Sequence, residues 1–167
     1  DYLVNFDSNK YPNLEQIQII TNGVLLNKKM WESLKSKEYI KVIEISVDAG
    51  TKETYENVTR LNGDWNKLIE NIKYLSTQDT IEVMIFSMVV SQVNYKEMPI
   101  FYNIITEIFK NSKIKIVINF RQHVYWGSGA LSIQEVKDIS VFENGHSEFN
   151  NFIDILRIVK DEPYVSH

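Results

Sequence analysis

Ile40-Lys41-Val42-Ile43-Glu44-Ile45-Ser46-Val47, followed at once by Asp48-Ala49-Gly50-Thr51, is the stretch that decides the fold. Its first eight residues are β-branched and apolar nearly throughout, as in a strand covered on both faces of a parallel sheet. Asp48-Ala49-Gly50 stops the strand, and Thr51 is a good N-cap for a helix over Lys52–Val58. One strand thus runs directly into one helix. The same unit recurs on both sides. Upstream, Gln16-Ile17-Gln18-Ile19-Ile20 reads as a strand halted by Thr21-Asn22-Gly23, and Asn27 caps a helix through Lys28–Leu34. Downstream, Gly63-Asp64 starts a longer helix. Its Trp65, Leu68, Ile69, Ile72 and Leu75 fall three or four apart on one apolar face.

A third strand is expected near Ile81–Val90. Pro99 suits the first turn of the helix after it, whose buried side reads as Ile100, Phe101, Ile104, Ile105, Ile108 and Phe109. A fourth strand, Ile114–Phe120, ends at Arg121-Gln122-His123, and an aromatic loop with two glycines follows at Val124-Tyr125-Trp126-Gly127-Ser128-Gly129. The alternation then stops. Ser132-Ile133-Gln134-Glu135 reads as a capping box. A last helix is expected over Ser147–Lys160, ended by Pro163. Alternation at these loop lengths means parallel βα units: an open α/β sheet, or an arc of a (β/α) barrel. In either case function belongs at the C-terminal ends of the strands. All four ends turn polar immediately after an apolar run.

Composition sets the outer bounds. The chain has 167 residues, a net charge of −4, 44% apolar and 24% charged residues, as in a globular domain. The acidic balance argues against a nucleic-acid partner. No Cys is present, so these residues supply no disulfide, thiolate metal site or catalytic thiol. The longest apolar run, around Val83–Val90, is too short to span a bilayer. The chain opens Asp1-Tyr2-Leu3, without an initiator Met or a signal-peptide pattern, and reads as a fragment of a longer protein.

The candidate residues each have a plain reading beside the functional one. Thr21 and Asn22 form a turn, since Asn-Gly readily supplies positive φ. Ser46 and Asp48 stand two apart and can offer a hydroxyl and a carboxylate to one ligand, or Asp48 simply caps the next turn. Arg60 is a helix-end residue, or a guanidinium able to hold a carboxylate bidentately. Arg121 and His123 follow a buried strand and face the same mouth; Trp126 is a pocket wall or ordinary packing. His123, His146 and His167 lack ligand-like spacing, so no metal site is expected from them. Asn57-Val58-Thr59 lies within an expected helix and is discounted as a glycosylation site. GxGxxG, P-loop and GxSxG patterns are all missing.

Taken in order, Ile19-Ile20-Thr21-Asn22-Gly23-Val24-Leu25-Leu26, Ile45-Ser46-Val47-Asp48-Ala49, Thr54-Tyr55-Glu56 through Arg60, Gly63-Asp64-Trp65 and Leu68-Ile69-Glu70-Asn71-Ile72 resemble the radical S-adenosylmethionine (SAM) superfamily. The resemblance runs from about Tyr11 to Tyr95. It implies part of a TIM-like (β/α)₆ partial barrel with a C-terminal helical tail: a βα core over about 1–126 and an extension over about 127–167. It also implies two cofactors in the full-length parent, SAM and a 4Fe–4S iron–sulfur cluster held by a C-x₃-C-x₂-C loop. Reductive cleavage of SAM there gives a 5′-deoxyadenosyl radical. By motif, Thr21 and Asn22 match the turn near SAM, and Ser46 with Asp48 the pair on its carboxylate or ribose side. Arg60 matches the arginine that pairs with the methionine carboxylate. Asn94 follows the third strand as a further cofactor-side residue, while Arg121, His123 and Trp126 form a possible substrate pocket without a family role. Tyr125-Trp126 and Val141-Phe142 through His146 are similar to a branch associated with surface-polysaccharide glycosyltransferases.

The cluster cysteines of that pattern are absent, and so is the glycine-rich segment that normally follows the second strand. The chain alone is therefore expected to be inactive, with no cofactor tightly bound, and to derive from a cytoplasmic protein. The expected partner is a small-molecule, glycan or peptide substrate. An uncovered sheet edge makes a homo-oligomer the expected assembly. The competing function is a cluster-free α/β accessory module attached to a glycosyltransferase; a generic sheet-based binding domain is a third.

Overall fold

Strands β1 (Ile17–Thr21), β2 (Ile40–Ser46), β3 (Val83–Val90) and β4 (Lys115–Gln122) lie side by side in sequence order, every neighbouring pair parallel. The structure is a computed structural model, and it describes residues 2–122 and 132–166. His123 and Trp126, with the rest of the aromatic loop, lie outside the described residues. Between the strands run α1 (Lys28–Ser33), a short α2 (Lys52–Thr54), α3 (Trp65–Leu75) and α4 (Met98–Phe109); α5 (Ile133–Ile139) and α6 (Phe149–Val159) follow β4. The caps fall where the sequence places them. Asn27 accepts from Met30 N–H, Thr51 from Thr54 N–H and Asp64 from Lys67 N–H, and Ser132 with Glu135 closes a capping box.

Register explains the core. Ile43, Ile45, Met84, Phe86, Met88, Ile116 and Ile118 sit on the face beneath the helices and are buried with Leu68, Ile72, Leu75, Phe101, Ile105 and Phe109. The opposite face holds Ile20, Val42, Glu44, Ser46, Ile85, Ser87, Val117, Asn119 and Arg121, and Ile20 there is 71% exposed. This corrects the expectation of strands covered on both faces: among the described residues, helices cover one face only. The apolar run of β2 and β3 masks an alternation, because Val and Ile occupy both faces. Helices outside and an open face inside is the wall of a TIM-like partial barrel.

Three local departures from the expected elements stand out. First, the expected helix Lys52–Val58 is α-helical only to Thr54; Tyr55–Thr59 then widen into a π turn closed by Arg60 N–H to Tyr55 O at 2.8 Å. The Tyr55 ring is buried and tilted against Trp65 at 5.5 Å. Second, β4 continues through Arg121 and Gln122, so Arg121 is a strand residue and not a loop residue. Third, Ile100 is exposed, because Met98 takes the buried first-turn position of α4. The C-terminal part returns to the body of the fold. Phe152 of α6 meets the Tyr95 ring edge-on at 6.3 Å, and Tyr95 donates to Glu148. Beyond α6, Ile118 N–H donates to Tyr164 O and Ser166 N–H to Ile118 O, which places Val165 beside the outer edge of β4. The outer edge of β1 has no strand partner among the described residues.

The turn after β1 is fixed by packing as well as by conformation. Gly23 has φ +78°, and a Cβ there would lie 2.8 Å from Leu68 Cδ1 and 3.1 Å from Ile45 Cγ2. Gly145 has φ +101° with nothing within 4 Å of such a Cβ. Gly145→Ala therefore carries only the strain of a left-handed backbone, about 1 kcal/mol. Gly23→Ala adds overpacking and should lose about 1–3 kcal/mol more. Urea unfolding of the two variants checks the difference.

Candidate functional site

The C-terminal end of β2 delivers Ser46 and Asp48 to the same side, and Asp48 adopts φ 61°, a left-handed conformation that Asp tolerates better than most residues. The turn frees its carboxylate to bind in two directions. Oδ1 accepts from Val89 N–H at 2.9 Å, tying the β2 end to β3. Oδ2 accepts from Ser46 Oγ at 3.0 Å and from Arg60 Nη2 at 2.6 Å, and the same Arg60 nitrogen also lies 3.2 Å from Ser46 Oγ. The π turn carries Arg60 back to this position from the end of the helical segment. Its side chain is 36% exposed and that of Asp48 16%. Arg60 Nε is buried and unpaired among the described residues. Burial pushes the neighbouring Tyr55 phenol above its ordinary pKa, and the Arg60 charge opposes that rise.

Asn94 holds the loop from behind. Its amide nitrogen donates to Asp48 O and Val89 O, and its amide oxygen accepts from Ser91 N–H. It is 2% exposed, so its place is beneath the site, supporting Asp48. A residue that no sequence motif marks completes the scaffold. Glu97 accepts from Gly50 N–H, Thr51 N–H, Thr51 Oγ1 and Thr54 Oγ1, locking the start of α2 onto the start of α4. Gly50 lies so close that a Cβ would come within 2.6 Å of Glu97 O. Nothing local in the sequence signals a contact across more than forty residues.

The remaining sequence candidates separate. Thr21 Oγ1 accepts from Gly23 N–H and Asn22 Oδ1 from Val24 N–H, so both side chains build the turn after β1, at the same sheet end as Ser46. Asn71 donates to Gly23 O and Val24 O and pins that turn to α3. Arg121 stands on the open face and pairs with Glu44 at 2.7 Å; Ser87 donates to the same Glu44 oxygen. Glu44, a charge inside an apolar strand, and Ser87, a break in an apolar run, are the sequence signals of this second cluster.

Residues 4–105 match the family model of the radical SAM superfamily. The chain belongs to this superfamily. A GTP 3′,8-cyclase from Petrotoga mobilis is 30% identical over 139 residues, which cover 81% of this chain and 42% of that relative. The chain thus spans less than half of the relative's length. Membership implies SAM and a 4Fe–4S cluster in full-length enzymes. A hydroxyl, a carboxylate and a partly exposed guanidinium form a polar set suited to a ligand bearing hydroxyls and a carboxylate, as SAM does. The cluster does not fit the residues present. The sequence contains no Cys, and among the described residues no three His, Asp or Glu side chains converge on a metal position. Likewise, no helix among the described residues is long and apolar enough to cross a membrane.

Asn94→Ala removes four side-chain hydrogen bonds and strands Asp48 O, Val89 O and Ser91 N–H. It should lower stability by about 1–3 kcal/mol while leaving the sheet intact, as checked by denaturant unfolding together with far-UV circular dichroism.

Proposed function

We propose that this chain is the SAM-binding portion of a radical SAM enzyme, one domain with a βα core over about 1–126 and an extension over about 127–167. The observation that carries this reading is the Ser46–Asp48–Arg60 cluster at the C-terminal end of β2, inside the family match. Arg60 would hold the methionine carboxylate through the exposed part of its guanidinium. Ser46 and Asp48 would hold hydroxyls of the ribose side. Thr21 and Asn22 shape the neighbouring turn, and Asn94 positions Asp48. In the full-length enzyme, SAM together with a 4Fe–4S cluster would supply radical chemistry for hydrogen-atom abstraction from the substrate. The cluster ligands come from outside these residues, so this chain's share is binding, orientation and screening from water. For the substrate, the glycosyltransferase-associated branch points to surface-polysaccharide chemistry. That assignment rests on Tyr125-Trp126 and the stretch Val141–His146 alone.

Without iron to chelate the amino acid, the site retains hydrogen bonds and a half-exposed guanidinium. Partly exposed ion pairs contribute roughly 0–1 kcal/mol. The chain alone should therefore bind SAM only at about millimolar strength or weaker, near −4 kcal/mol, below ordinary calorimetric detection. The full-length parent, with its cluster rebuilt anaerobically, should bind SAM and release 5′-deoxyadenosine on reduction. Arg60→Ala or Ser46→Ala in the parent should weaken binding without unfolding it. A parent that takes up the cluster yet never yields 5′-deoxyadenosine, with or without candidate substrates, would overturn this reading in favour of the accessory module.

A further inference from the structure

Glu44, Ser87 and Arg121 occupy three adjacent strands on the open face of the sheet, immediately beside the Ser46 cluster. Ser46 pairs in register with Ser87, and Val89 with Arg121. The Arg121 side chain crosses β3 to reach Glu44 on β2. Glu44 is nearly sealed, its side chain 10% exposed, whereas that of Arg121 is 52% exposed. The buried carboxylate therefore cannot meet a ligand, and the guanidinium can. One Arg121 nitrogen is committed to Glu44, and its other donors have no partner among the described residues. Ser87 holds Glu44 in place from the neighbouring strand.

Stability alone does not account for this cluster. An ion pair with one buried member is worth little against apolar packing of the same volume, and every neighbouring strand here could supply Val or Ile. What the pair does achieve is orientation. A guanidinium clamped at one end loses little further entropy when its free edge meets a planar oxyanion, and that edge matches carboxylate or phosphate oxygens bidentately.

We infer that Arg121, positioned by Glu44 and Ser87, is an anion-recognition residue for the substrate, which carries a phosphate or a carboxylate group. This rests on the open face beside Ser46 being the reaction chamber of the function proposed above. It gives that substrate a chemical class and gives Arg121 a role. Glu44 and Ser87 are positioning residues.

The test follows backbone amide NMR signals of the chain during separate titrations with inorganic phosphate, acetate and S-adenosylhomocysteine. Phosphate or acetate should shift the signals of Ser87, Val89 and Arg121 saturably, and the tighter of the two identifies the anion. Arg121→Gln should weaken that response at least tenfold, while Arg157→Gln, a change in an exposed pair on α6, should leave it unaltered. Should Arg121→Gln unfold because it strands Glu44, the double variant Glu44→Gln/Arg121→Gln keeps the layer neutral and should fold without the response. An anion response that survives in the folded single or double variant overturns the inference, and so does the absence of any response to both anions. S-adenosylhomocysteine, titrated well beyond the millimolar range expected for the chain alone, reports separately through the Ser46–Thr51 signals. Their silence, with the anion response intact, would count against the SAM site and not against Arg121.

Discussion

The Asp48 carboxylate is the joint on which the site depends. One oxygen receives the Val89 N–H of the neighbouring strand, and the other receives both Ser46 and Arg60. Its own carbonyl is held by Asn94. A single side chain therefore fixes the spacing of two strand ends and the reach of an arginine from the following helical segment. The left-handed backbone at Asp48 makes this possible, since an extended residue there would continue the strand and carry its carboxylate past the sheet. The π turn has a related part. Adding a residue to the last turn changes where the helical segment ends, and that end is Arg60.

Around this joint the sheet divides its labour between its two faces. The helix-covered face is apolar and closely packed, and it supplies the hydrophobic stabilisation. The open face carries hydroxyls, an amide, a carboxylate and a guanidinium at neighbouring register positions. Such groups are costly when buried without partners; Glu44 is satisfied by Ser87 and Arg121 and Asn94 by three backbone groups, whereas Arg60 Nε has no partner among the described residues.

Much of this is legible in the residues. The β-branched runs, the Asx and Thr caps and the polar residues after each run locate the strands, the helix starts and the end of the sheet that matters. Ser46, Asp48 and Arg60 stand out in the sequence and converge in the fold. What escapes a reading of the residues is long-range or subtle in register. Glu97 contacts residues more than forty positions away, so no local pattern exposes it. The π turn, which begins at the buried Tyr55, is not encoded by helix propensity. The strand faces are ambiguous because Ile and Val suit either side of a pleat, so an open face looks covered. Arg121 reads as a loop residue, although the ladder with β3 extends that far.

The C-terminal tail has a different bearing. Among the described residues it meets β4 through a single backbone bridge, Ile118 with Val165, whereas β3 meets β4 along eight registered pairs. Local opening follows such inequality. The tail can leave the edge of β4 while the four-stranded ladder stays closed. The Ile118 amide, which donates outward to Tyr164, then becomes open to hydrogen exchange whenever the tail detaches, ahead of its sheet-bonded neighbours.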